Sequence, residues 1–240
     1  MEFELWWLLA IPLFFGMGWI AARIDIKHLV RESRALPRSY FEGLNFLLNE
    51  QPDKAIDSFI EAVKVDPQTI ELHFALGNLF RRGGETDRAI RLHQNLLERA
   101  DLAEEQRLHA LAELGHDYLK AGLLDRAEEI FLRLRGAAHH EEAALKFLLE
   151  IYQQEKEWGK AIDIARQMPQ NTRHLWQKEI ANFFCEMAAS EITHSHPDEA
   201  RRLLEEALTT NRKCVRALLL LGDLEAAADR LDNAVEIWKR

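Results

Sequence analysis

Six alanines recur down the chain at nearly constant distance: Ala55, Ala89, Ala127, Ala161, Ala200 and Ala234, separated by 34, 38, 34, 39 and 34 residues. A period of this length is one small structural unit that cannot bury its apolar face alone and must stack on copies of itself. Twelve residues before the alanine stand Gly43, Gly77, Gly115 and Gly222, with Leu149 and Ala188 in the other two copies. A small residue there predicts two helices of one repeat crossing closely, and Leu149 reads as a looser copy. Nine residues before the alanine the first four copies carry Phe46, Phe80, Tyr118 and Tyr152, rings able to fill the space between helices. Four residues after it come Phe59, His93, Phe131, Ala165, Leu204 and Trp238, which are mostly apolar. The turn before the alanine repeats an acid, as Asp53, Asp87, Asp125 and Asp198. It is expected to accept hydrogen bonds from the free N–H groups of the second helix and to suit its dipole. Asp66-Pro67 ends the first repeat, because proline cannot continue a helix. The two long spacings read as insertions that form loops, at residues 101–106 and 170–174.

The 34-residue period is that of tetratricopeptide repeats. The expected fold class is therefore all-α: an N-terminal transmembrane helix followed by a superhelical solenoid over 39–240, about six repeats with the last truncated. Such arrays bind proteins in a groove lined by their first helices. In this register the groove positions are Phe74, Asn78, Arg81 and Arg82 in the second repeat, His109, His116 and Lys120 in the third, and Lys146 with Gln153 in the fourth. Arg81, Lys120 and Lys146 are expected to hold an acidic or extended segment of a partner, with Phe74 and Asn78 adding apolar and hydrogen-bonding contact.

The N-terminus reads differently. After a four-residue start containing Glu2 and Glu4, Leu5 to Ala22 run for 18 residues without a charge, which at about 1.5 Å per residue reaches across the hydrocarbon of a bilayer. Pro12 falls within this span as a possible kink. Arg23, Lys27, Arg31, Arg34 and Arg38 follow against only Asp25 and Glu32, so residues 23–38 form a basic linker that the positive-inside rule places in the cytoplasm. A cleaved signal peptide would have its basic residues on the other side of a shorter apolar run. Gly18 and Ala22 make a small-x-x-x-small pair that suits contact with the helix of a membrane partner.

Chemistry-bearing clusters point away from catalysis. Cys185 and Cys214 are the only cysteines and form no C-x-x-C pair, so neither a disulfide framework nor a zinc module follows. Cys185 lies among Phe183, Phe184 and Met187, the setting of a packed thiol. His139-His140 and His194-Ser195-His196 lack the H-E-x-x-H spacing and fall in inter-helix loops. No metal ligands are assigned. Phosphate-cradling and nucleophile-elbow motifs are absent from the sequence. Residues 39–240 hold 26 basic and 36 acidic residues, a balance of −10 that repels nucleic acid.

Several stretches carry a closer resemblance. Glu42-Gly43-Leu44-Asn45-Phe46 with Asp53-Lys54-Ala55, Leu76-Gly77-Asn78-Leu79-Phe80-Arg81, Asp87-Arg88-Ala89-Ile90-Arg91 and Asp125-Arg126-Ala127-Glu128 resemble the lipopolysaccharide assembly protein B family of Gram-negative bacteria. Glu157-Trp158 and Glu179-Ile180-Ala181 extend the likeness. It implies a single-pass inner-membrane adaptor with cytoplasmic repeats that regulates lipopolysaccharide synthesis and is not itself an enzyme. The implied partners are the lipid A pathway deacetylase, a membrane AAA+ protease to which it is delivered, and an inner-membrane regulatory protein. The family continues into a rubredoxin-like domain with a four-cysteine metal site. These residues hold no cofactor site, and the sequence stops at Arg240 in a sixth repeat, which is expected to be a truncation. Two other readings stay open at this stage: a generic envelope-assembly scaffold, with its repeats in the periplasm, and an enzyme whose functional residues lie in a missing tail.

Overall fold

Each repeat folds as two helices because its apolar residues recur every three or four positions and its turns carry helix-stopping geometry. The computed structural model describes residues 15, 16, 19, 37–137 and 139–240. Apart from Phe15, Gly16 and Trp19, the apolar run Leu5–Ala22, with Leu13, Gly18 and Ala22, lies outside the described residues, as does most of the basic linker. Among the described residues no helix is long and apolar enough to cross a membrane.

Among these residues all regular structure is helical. Six helix pairs follow one another: α1 (Arg38–Leu48) with α2 (Pro52–Val65), α3 (Ile70–Arg82) with α4 (Thr86–Leu97), α5 (Glu104–Lys120) with α6 (Leu124–Leu134), α7 (Glu141–Gln154) with α8 (Trp158–Gln167), α9 (Gln170–Thr193) with α10 (Pro197–Thr210), and α11 (Val215–Ala227) with α12 (Leu231–Trp238). The chain divides into two units, 1–72 and 73–240. In the first, α1 packs on α2 around Ala55, Ile56, Phe59 and Ala62. In the second, one continuous core runs from Ile90 to Leu221.

The glycine register is a packing rule. A Cβ added at Gly43 would stand 2.6 Å from the Phe59 ring, and one at Gly115 would stand 2.9 Å from both Ile130 and Phe131. Gly77 and Gly222 face His93 and Trp238 in the same way. In every case the opposing residue lies sixteen positions later. At the two non-glycine copies the sizes change together: Leu149 is followed at that distance by Ala165, and Ala188 by Leu204, all four buried. The fourth repeat thus trades volume between its helices.

Two expectations are corrected. The insertions are not loops throughout: residues 101–103 stay outside a helix, but 104–106 and 170–174 are helical and lengthen first helices, α5 to 17 residues and α9 to 24. Helix α5 starts at Glu104 because the Gln106 side chain accepts from the Ala103 N–H and Glu104 and Glu105 suit the dipole. Arg107 donates to the Leu97 and Arg99 carbonyls at 3.0 and 3.2 Å, closing the end of α4. Helix α9 follows directly on Pro169, whose carbonyl accepts from the Thr172 N–H and hydroxyl at 3.0 and 3.1 Å. The acids of the turns do not cap either. Asp53, Asp87, Asp125 and Asp198 are inside the first turn of their helices, whose N-caps make no side-chain hydrogen bond, so the dipole alone accounts for them.

The turns share a geometry that the residue types conceal. Five residues before each alanine the backbone is left-handed: Glu50, Gly84, Gly122, Lys156, Ser195 and Asp229, with φ between 55° and 83°. The next residue's N–H closes back on the carbonyl five positions earlier, as Gln51 to Phe46 and Glu157 to Tyr152, which is the Schellman closure. Four of the six positions carry a side chain where glycine is favoured, at about 1 kcal/mol each. Lys156→Gly is therefore expected to raise the melting temperature by roughly 2–4 °C. Thermal unfolding followed by circular dichroism checks this, and an unchanged or lower midpoint would show that the turn is not strained.

Basic residues before the alanine cover the aromatic of the same repeat. Arg88 lies 4.0 Å from the Phe80 ring centre, Lys160 5.2 Å from Tyr152, Arg126 5.7 Å from Tyr118 and Lys54 5.8 Å from Phe46. Successive repeats are joined by polar pairs 24 residues apart: Gln94 donates to the Tyr118 hydroxyl at 2.9 Å, the Tyr152 hydroxyl donates to Glu128 at 2.5 Å, and Arg201 pairs with the buried Glu225.

Candidate protein-binding groove

Three first helices, α3, α5 and α7, carry a groove of about 710 Å³ lined by Arg81, Arg82, His116, Leu119, Lys120, Phe147, Glu150 and Gln154. Four of the residues placed in the groove from the sequence, Arg81, Arg82, His116 and Lys120, line it. Phe74 turns instead against His109, ring centres 4.4 Å apart and edge to face. Asn78 accepts from Arg81 at 2.5 Å. Lys146 is paired along its own helix with Glu142 at 2.7 Å, and neither it nor Gln153 lines the cavity.

Arg81 is not a free groove charge. Its guanidinium donates to Asp117 Oδ1 at 2.8 Å, to Glu113 Oε2 at 2.7 Å and to the Glu113 carbonyl at 3.2 Å. The other oxygen of Asp117 accepts from His93 Nδ1 at 2.5 Å, with both side chains fully buried. His93 Nε2 has no partner and faces Gly77. One network thereby ties α3, α4 and α5 together beneath the groove. Burial alone would push the Glu113 carboxyl up, but His116 and Arg81 outweigh it and hold the group at about 2, against 4.5 unperturbed. A depressed carboxyl stabilises the fold fully above its unfolded value and loses that contribution as pH falls through the folded one. The α3–α5 junction is therefore expected to weaken between about pH 4.5 and pH 2, by up to about 3 kcal/mol at 1.36 kcal/mol per unit. Urea titrations across that range in parent and Glu113→Gln protein test it: equal slopes of stability against pH would remove Glu113 from the account.

Arg82 and Lys120, by contrast, end α3 and α5 exposed and make no ion pair among the described residues. The floor between them and α7 is aromatic. Phe147 stacks on Phe131 at 4.9 Å and meets His116 edge-on at 4.5 Å. Glu150 and Gln154 form the opposite rim, joined by a 3.3 Å hydrogen bond. Leu119, Phe147, Glu150 and Gln154 were missed from the sequence. Phe147 stands fourteen residues before its alanine, as Phe41 does in the first repeat, but Ala75 and Glu113 occupy that position between them and hide the pattern.

The remaining clusters are structural. Cys185 and Cys214 are both buried with sulfurs 3.8 Å apart, and burial together with Cys214 pushes the Cys185 thiol up to about 12, which keeps it un-ionised at neutral pH. His194 Nδ1 bonds the Ser190 carbonyl and His196 Nδ1 bonds Glu191, each at the junction of α9 and α10.

This is the build of a tetratricopeptide-repeat protein, and tetratricopeptide-repeat family profiles match residues 72–108 and 185–239. A tetratricopeptide-repeat protein from Parabacteroides merdae shares the fold with a TM-score of 0.50, at 16% identity over 84% of this chain and 78% of that one. Over 97% of its length the chain is 41% identical to lipopolysaccharide assembly protein B of Escherichia coli K12, and over 95% it is 37% identical to the protein of that name from Haemophilus influenzae. The resemblance read from the repeats is borne out by these relatives. The chain spans about three fifths of their length, 60% in both cases.

Proposed function

We propose that this chain is a membrane-anchored, protein-binding scaffold in lipopolysaccharide assembly. The observation that carries the reading is the 41% identity to lipopolysaccharide assembly protein B across 97% of the chain, groove-forming helices included. Leu5–Ala22 anchors it in the inner membrane, with the basic linker and repeats in the cytoplasm. Gly18 and Ala22 contact an inner-membrane regulatory partner. The repeats act as an adaptor, presenting the committed-step lipid A deacetylase to a membrane AAA+ protease and so setting the rate of lipopolysaccharide synthesis. The protein does no chemistry itself.

The test is co-purification. The tagged full chain, extracted from Gram-negative membranes in detergent, is expected to bring down the deacetylase and the protease, and its overproduction is expected to shorten the half-life of the deacetylase. Enrichment of neither over a tag-only control would overturn the adaptor reading. Alkaline phosphatase activity from a fusion after Arg240 would overturn the cytoplasmic placement.

A further inference from the structure

The groove has a chemistry more specific than protein binding in general. Its floor is an apolar surface held still from below: Phe147 is locked by the Phe131 stack and the edge of His116, and Leu119 lies beside it. A preformed apolar floor of this kind binds one large side chain with little loss of protein freedom. Two cations without an ion pair among the described residues, Arg82 and Lys120, rise from separate helices on one side of that floor. They do so in a region whose formal balance is −10. Arg81 adds no free charge to them, its guanidinium being held between the Glu113 and Asp117 carboxylates. On the far rim Glu150 carries the opposite charge. The field across the groove is therefore directional, favouring carboxylates over α3 and α5 and disfavouring them over α7.

Resting on the scaffold reading above, we propose that this groove takes an extended acidic segment of a partner protein that carries one large apolar side chain. The apolar side chain sits on Phe147 and Leu119, and the carboxylates flanking it meet Arg82 and Lys120. The volume of about 710 Å³ gives room for a few residues of extended chain. Because the cations stand in solvent, they set encounter rate and register more than raw affinity, and their effect falls with salt.

Three fluorescein-labelled, amidated hexapeptides serve as probes against the full chain in detergent: Glu-Asp-Leu-Phe-Glu-Asp, the same acids around Ser-Ser, and Leu-Phe flanked by lysines. In fluorescence anisotropy at low salt the first is expected to bind at least tenfold tighter than either of the others. R82E/K120E changes two exposed residues without ion pairs among the described residues and is expected to weaken the first probe at least tenfold, with the gap closing at 0.5 M salt. E150K is expected to tighten the first probe about threefold or more, a gain that misfolding cannot produce. The proposal is overturned if R82E/K120E binds the first probe like the parent, if the three probes bind alike or not at all, or if E150K weakens binding. If membrane partners still co-purify with a parent chain that fails these tests, the groove assignment fails alone; if none co-purifies, the scaffold reading fails with it.

Discussion

Asp117→Ala is expected to lower stability by about 3–5 kcal/mol, the cost of removing one partner from a buried ion pair. The carboxylate is fully buried and serves two helices at once, accepting from Arg81 of α3 and His93 of α4. Deleting it leaves the His93 Nδ1–H without an acceptor in a site where Nε2 already lacks a partner, worth about 1–3 kcal/mol by itself. Arg81 keeps Glu113 and a little solvent, its side chain being 18% exposed, which holds the total within that range. A loss of this size shifts the midpoint of a domain of this length by roughly 10 °C. Hydrogen exchange adds the location: amides of α3 to α5 should lose protection while those of α9 and α10 keep it, since each repeat depends on its neighbours. A midpoint within 2 °C of the parent would mean that the network is not a structural tie. The same network rules out Arg81→Glu as a probe of the groove, because that change would place a third carboxylate beside Glu113 and Asp117.

The parts of this molecule that were legible in the sequence are those that every repeat must solve in the same way. The crossing of two helices recurs with every copy, so Gly43, Gly77, Gly115 and Gly222 could be placed from spacing alone. The left-handed turn is equally periodic but was hidden, because Glu50, Lys156, Ser195 and Asp229 tolerate a conformation that glycine only marks at Gly84 and Gly122. The ion network was out of reach for another reason. Arg81 and Asp117 lie 36 residues apart and meet once in the array, so no period reports them, and His93 sits where the other copies are apolar. Insertions failed as loops because four or five extra residues can be absorbed by extending a helix at its N-terminal end, as in α5, whose first turn is capped. In the groove the charges at helix ends could be read from the register. The aromatic floor could not, because its depth depends on how α5 and α7 pack.

Gly115→Leu is expected to cost at least the 1–3 kcal/mol usual for overpacking, since a Cβ there would already press within 2.9 Å of Ile130 and Phe131, both buried in the middle of the continuous core. The two neighbouring repeats leave the ring nowhere to go, so the effect should exceed that of the same change at Gly43, in the other unit. Phe131→Ala alone opens a cavity and should cost about 3–5 kcal/mol. The informative protein is the double variant. Leu149 with Ala165 and Ala188 with Leu204 place the larger side chain on either helix, so Gly115→Leu with Phe131→Ala rebuilds in the third repeat the arrangement that the fourth already uses. The leucine should fill the space vacated by the ring, and the double variant is expected to be at least 2 kcal/mol more stable than the sum of the single losses predicts. Denaturant unfolding of the parent, the two single variants and the double variant measures this directly. Additive losses would show that residues sixteen apart do not share one volume, and that Leu149 and Ala165 are unrelated solutions in their own repeat.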